Sequence, residues 1–247
     1  MSLMFYGYSF GYTMDRGVIL VLIAAVFSII ASVKVNSTFK KYSKKYTGRN
    51  ISGAQAARMI LDAHGLHSVR VERISGNLTD HYDPKANVIR LSDSVHDSVS
   101  VAAVGVAAHE AGHAVQHATA YKPIILRNKI VPVANIGSMA GPYLVMIGLL
   151  MSYGAKASPM GDFFAYLGIG FFSLAVLFQL VTLPVEFNAS NRAVSILAND
   201  GYLESDEVPA VKKVLSAAAM TYVAAAAVSI MQLLRFIMLI SGRRNDD

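Results

Sequence analysis

Ser98-Val-Ser-Val-Ala-Ala-Val-Gly-Val-Ala-Ala-His109-Glu110-Ala111-Gly112-His113 is the stretch from which the rest of the chain is read. Its first eleven residues are apolar or small and predict a helix that runs into an H-E-x-x-H pattern. On a helix, residues i and i+4 lie one above the other. His109 and His113 can therefore offer two imidazole nitrogens to one metal ion. Glu110 is one position along and points beside such an ion, where it can accept a proton from a water that the ion activates. Zinc-dependent peptide hydrolysis needs that division of labour. The competing reading is a helix face with two incidental histidines. Ala111 and Gly112 are small enough to let another element approach.

A catalytic zinc site takes three protein ligands and leaves one position open. His117 lies on the same helix, but two turns put it about 11 Å from His109. It is read as a neighbour of the site or a surface residue. Glu186, in Leu183-Pro-Val-Glu-Phe-Asn-Ala-Ser-Asn-Arg-Ala193, is the better third ligand. It closes a long apolar run, where a charge is costly unless it meets a partner or water. The alternative for Glu186 is a solvated carboxylate just beyond a membrane span.

Composition supplies the setting. Apolar residues make up 54% and charged residues 15% of the 247, and the mean hydropathy of +0.44 is too high for an ordinary soluble domain. Four apolar runs, Gly17 to Val33, about Val133 to Tyr153, Phe163 to Val185 and about Val214 to Gly242, predict about four transmembrane helices. The second contains Pro142 and several glycines, which membrane helices tolerate. Arg235 in the fourth is expected to snorkel or pair near an interface.

The first run lacks a basic leader and is followed by Lys34, Lys40, Lys41, Lys44, Lys45 and Arg49, which reads as a signal anchor with its N-terminus outside. The net charge of +6 is then a positive-inside flank that calls for a lipid bilayer and no nucleic acid. On this topology the H-E-x-x-H helix and Glu186 share the cytoplasmic side of the plasma membrane, with a short outer loop near Gly154 to Gly161. The Gly242-Arg-Arg tail falls outside, against the rule. The chain has no cysteine, so disulfides say nothing of its compartment.

Between the first run and the motif, Ser52 to Gly65 predicts a helix with Ser52 as N-cap and Gly65 as its stop. Ser68 to Ile74 and Asn87 to Leu91 predict strands of a small hairpin or sheet, separated by a turn-rich stretch. A sheet edge there could take substrate as an added strand, or simply be covered. His81 is a candidate for stabilising an oxyanion or a surface residue. Tyr82 is open in the same way, and His64, His67 and His96 are read as surface residues.

His-Glu-Ala-Gly-His with the downstream E-F-x-A-S-x-R-A pattern from Glu186 to Ala193 resembles the YugP-like neutral zinc metallopeptidases of bacterial membranes. The segments Leu78-Thr-Asp-His-Tyr-Asp-Pro84 and Val88-Ile-Arg-Leu-Ser92 resemble that family too, and the likeness runs from about Phe39 to Arg235. The resemblance implies a gluzincin-like peptidase with a small zincin-like α+β region, His109, His113 and Glu186 as ligands of one zinc ion (Zn2+) per chain, and Glu110 as catalyst. Many membrane gluzincins carry an Asp four residues after the glutamate ligand. Ser190 stands there in this chain, with Asn188 and Asn191 as possible substitutes.

The expectation is a mainly α membrane protein divided as 1–33 (N-terminal segment and first span), 34–132 (α+β region ending in the motif helix), 133–185 (transmembrane hairpin), 186–213 (second metal-site helix) and 214–247 (fourth span and tail). Its expected activity is that of a membrane zinc endopeptidase acting on peptides or membrane proteins. The rival is a membrane scaffold or binding protein with a structural zinc site, for which Glu110 would have no use. A transporter would need ionisable residues at mid-membrane depth, and the runs hold almost none. Oligomeric state is left open.

Overall fold

The computed structural model describes residues 16–152 and 158–245. Its elements, in order, are α1 (Arg16–Tyr42), α2 (Gly53–Ala63), β1 (Arg70–Ile74), β2 (His81–Asp83), β3 (Val88–Ser92), α3 (Val101–Ala118), α4 (Lys122–Met151), α5 (Pro159–Asn199) and α6 (Val208–Asn245). The expected outer position of the N-terminal segment, and most of the loop before Gly161, fall outside the described residues.

α3 is the axis of the structure. Ser100 caps its first turn by accepting from the Ala103 N–H, and nearly every residue from Val101 to Gln116 is buried. Alanines and glycines leave little side chain between this helix and its neighbours. A Cβ on Gly112 would stand 2.9 Å from the Ala189 carbonyl of α5, and one on Gly105 would stand 3.0 Å from Val211 of α6. The surrounding core takes Ile60 and Leu61 from α2, Ile89 and Leu91 from β3, Leu197 from α5, and Val211 and Val214 from α6.

α2 begins as its sequence predicts: Ser52 and Gln55 form a reciprocal capping box, and Gly65 takes a left-handed φ of +70° just beyond its end. The sheet differs from a simple hairpin. Its order is β1-β3-β2. β1 and β3, the two expected strands, pair in parallel, while the turn-rich stretch supplies a third strand, β2, antiparallel to β3. β2 thereby becomes the edge beside the metal-motif helix, and His81 sits in a strand instead of a turn.

Among the described residues, α1, α4, α5 and α6 are long and apolar enough to cross a membrane. Large apolar side chains face outward from them, including Ile23, Ile29, Val33, Met139, Tyr143, Leu150 and Phe163. The molecule is a mainly α membrane protein with a small α+β region. α4 and α5 pack antiparallel along a glycine seam: a Cβ on Gly137 would meet the Phe171 carbonyl at 2.2 Å, and one on Gly148 the Gly161 carbonyl at 2.5 Å. The helices outrun the apolar segments that announced them. α4 starts at Lys122, α6 at Val208, and α1 continues to Tyr42. α5, with 41 residues, is about 61 Å long, twice the roughly 30 Å of bilayer hydrocarbon. The third span and the Glu186 segment are therefore one continuous rod, with Pro184 inside it. Arg235, in the last turns of α6, lays its stem against Gly17 at the start of α1.

Candidate metal centre

Three elements meet at the centre. α3 presents His109 and His113, and α5, pressed against α3 at Gly112, presents Glu186. His109 Nε2 lies 3.1 Å from His113 Nε2 and 3.3 Å from Glu186 Oε2, and His113 Nε2 lies 3.5 Å from the same carboxylate oxygen. Ligands about 2.0–2.1 Å from a tetrahedral zinc ion stand roughly 3.3–3.4 Å apart. The three atoms thus have the spacing that a zinc ion would require, and their chemistry (two imidazoles and a carboxylate) suits it.

The second nitrogen of each ring is held as well. Gln116 is fully buried, and its amide Nε2 donates to the Val185 carbonyl at 2.8 Å and to Asn188 Oδ1 at 2.9 Å. That fixes which end of the amide faces His113. Gln116 Oε1 can only accept, at 3.0 Å, from His113 Nδ1, which leaves the Nε2 lone pair free for a metal. Ser190 Oγ stands 3.1 Å from His109 Nδ1 and orients that ring. Ser190 itself therefore fills the place of the usual Asp. Asn188 contributes indirectly through Gln116, while Asn191 is exposed.

Glu186 is 3% exposed. Arg127, from the first turns of α4, donates to its Oε1 at 3.0 Å, which pins one oxygen and leaves Oε2 turned to the histidines. A carboxylate so buried needs these partners. Burial opposes charge on His113, yet the Glu186 carboxylate draws its pKa above the ordinary value: the cluster favours a positive charge at its centre.

Glu110 is 8% exposed. Among the described residues its carboxylate has no hydrogen-bonding or ion-pairing partner, and it opens into a cleft. The cleft has two lobes, of about 160 Å3 and 230 Å3, which share Asp80, Glu110, Glu186 and Tyr222. The smaller lobe is polar, with His81, Arg127 and Asn128. The larger is apolar, with Leu78, Val106 and Leu215. Asp80 accepts from the Ser92 backbone at 2.7 Å and from the Ser92 hydroxyl at 2.9 Å. Burial nevertheless pushes its carboxyl above the ordinary value, and the nearby Glu110 charge adds to the effect.

His81 lines the polar lobe but has no N–H to spare. Its Nδ1 faces the Thr79 carbonyl at 2.9 Å, so it must donate, and its Nε2 then accepts from Arg90 at 3.3 Å. With both ring nitrogens engaged, the geometry speaks against the oxyanion role and for the other reading, a residue outside the chemistry. His117 lies in the same lobe, edge-on to Tyr82 at 6.1 Å between ring centres, outside the converging trio. His64, His67 and His96 bond locally, to Ile60, Asp62 and Asp97. Sequence reasoning missed Gln116, Arg127, Asp80 and Tyr222. Only Gln116 carried a signal: it is a lone amide one turn past His113 on a buried apolar helix.

A family model described as "Putative neutral zinc metallopeptidase" matches residues 17–241. Over 230 residues, 93% of this chain and 99% of the other, the chain is 47% identical to the "Putative membrane protease YugP" of Bacillus subtilis (strain 168). No solved structure matches it. With a His-His-Glu trio on two packed helices and a sequence alike from its first span to its last, the chain belongs to the neutral zinc metallopeptidase family.

Proposed function

We propose that this protein is a zinc-dependent endopeptidase of the plasma membrane. His109, His113 and Glu186 hold one zinc ion per chain, and Glu110 is the general base. Zinc held there supplies Lewis acidity toward a scissile carbonyl and lowers the pKa of water at neutral pH. Gln116 and Ser190 keep the two rings aimed, and Arg127 keeps Glu186 presenting a single oxygen. Glu110 takes the proton of the attacking water and delivers it to the leaving amine. The substrate is a peptide or a membrane-protein segment lying across the two lobes, with an apolar side chain on one side of the cut bond. The site opens at the cytoplasmic surface, where the basic flanks of α1 and α6 lie.

The observation that carries this reading is the Glu110 carboxylate, which faces the cleft beside three converging ligand atoms and, among the described residues, has no hydrogen-bonding or ion-pairing partner. A structural zinc site in a scaffold would leave that carboxylate without a task. The test is Glu110→Gln, nearly isosteric and unable to accept the proton. It should retain zinc and thermal stability while peptide cleavage falls by about 10² to 10⁴. Cleavage at the wild-type rate would remove Glu110 as the base, and an inactive wild type with full zinc would favour the scaffold.

A further inference from the structure

α1 and α6 run antiparallel, with Gly17 against Arg235 at one end and the lysines late in α1 beside Lys212 and Lys213 of early α6 at the other. There a groove of about 570 Å3 opens between them, lined by Lys34, Thr38 and Lys41 of α1 and by Lys212, Lys213 and Ser216 of α6. Lys34, Thr38 and Lys41 follow the i, i+4, i+7 spacing of one helix face, and Lys212 and Ser216 are one turn apart. The floor is apolar, from Tyr42, Pro209, Ala217 and Met220. All four lysines are exposed, and none has an ion-pair partner among the described residues. Lys45, just beyond, is neutralised by Asp206 at 3.0 Å.

The groove also lies at a particular depth. The charge-free run of α1 ends at Val33, and the apolar run of α6 begins at Val214. The lysines therefore stand where both helices leave the hydrocarbon, at headgroup level. Below them, Ile29, Ile30 and Val33 are exposed on α1 and offer a wall to acyl chains. Four cations without a carboxylate partner among the described residues, over an apolar floor at the membrane boundary, suit a ligand that is anionic at one end and hydrocarbon at the other.

We propose that this groove binds the phosphate headgroup of an anionic phospholipid, with Lys34, Lys41, Lys212 and Lys213 around the phosphate and Ser216 and Thr38 as hydroxyl donors. The binding is independent of the peptidase reading and of the metal centre.

Native mass spectrometry of the full-length protein, in neutral detergent doped with phosphatidylglycerol or phosphatidylcholine, tests it. The wild type should retain phosphatidylglycerol with about a tenfold preference. The double variant K34Q/K212Q should lose that preference, as should S216E, which places an anion in the groove. The double variant K40Q/K44Q removes equal charge from exposed lysines outside the groove and should keep it. Equal retention of the two lipids by the wild type would overturn the proposal, as would equal loss in both lysine pairs. Displacement of the lipid by millimolar inorganic phosphate would mean that the site reads phosphate alone, and the lipid assignment would fall.

Discussion

Gln116 shows how much of a metal centre lies one residue behind the ligands. Its single amide accepts from His113 and donates to Val185 and Asn188, so it fixes both a ring tautomer and the approach of α5 to α3. Ser190 of α5 also reaches across to α3, but through one hydroxyl that can donate or accept, so it orients the His109 ring without fixing its tautomer. Gln116→Ala should therefore lower zinc affinity by about 10- to 100-fold and cost about 1–3 kcal/mol of stability, because it strands buried polar groups. Ser190→Ala should do less on both counts. Competition with a chromophoric chelator and thermal unfolding of the two variants measure this. Equal losses would mean that the amide acts as filler and does not orient the ring.

At the scale of elements, the centre depends on how closely two helices can lie. Gly112 sits between the two histidine ligands, at the point where a Cβ would meet the Ala189 carbonyl at 2.9 Å. The obstacle is backbone, which cannot rotate aside. Gly112→Ala should push α5 off α3, cost about 1–3 kcal/mol and weaken zinc binding, since Glu186 moves with α5. Gly170, also on α5, has open space around its Cβ position. Gly170→Ala should leave zinc content and melting temperature unchanged or slightly raised. Matching effects from the two substitutions would show that close packing at Gly112 does not set the ligand geometry. The residues Ala111 and Gly112 announced this approach in the sequence, as the H-E-x-x-H spacing announced the ligand pair, because both are local patterns of one helix. The β1–β3 parallel pairing and the place of Arg127 were not legible there. Each depends on contacts between distant segments, and nothing in the residues between encodes the register.

At the scale of the whole molecule, the described residues form two cores of different kinds. One surrounds α3 and resembles the interior of a soluble domain. The other is a thin seam of Val145, Phe172, Val176 and Phe236 between the spans. α5 and α6 belong to both; the continuity of α5 was hidden because its apolar run ends at Val185 and polar residues follow, and the early start of α6 because its apolar run begins only at about Val214. Since the rods are continuous, the level and side of the metal centre follow from the orientation of the spans. The lysines that follow the first span lie with Lys212 and Lys213 at the end of the bundle that carries the centre, and although Arg243 and Arg244 stand toward the other end of α6, the flank of the first span weighs most in placing basic residues on the cytoplasmic side. The N-terminus should then be outside and the α+β region inside. The chain has no cysteine, so Ser2→Cys and Ser68→Cys each introduce a single thiol, the second at an exposed position before β1. On intact cells an impermeant thiol reagent should label position 2 and spare position 68 until the membrane is opened. The reverse pattern would invert the spans and carry His109, His113 and Glu186 with them to the outer face, because no span separates Ser68 from α3.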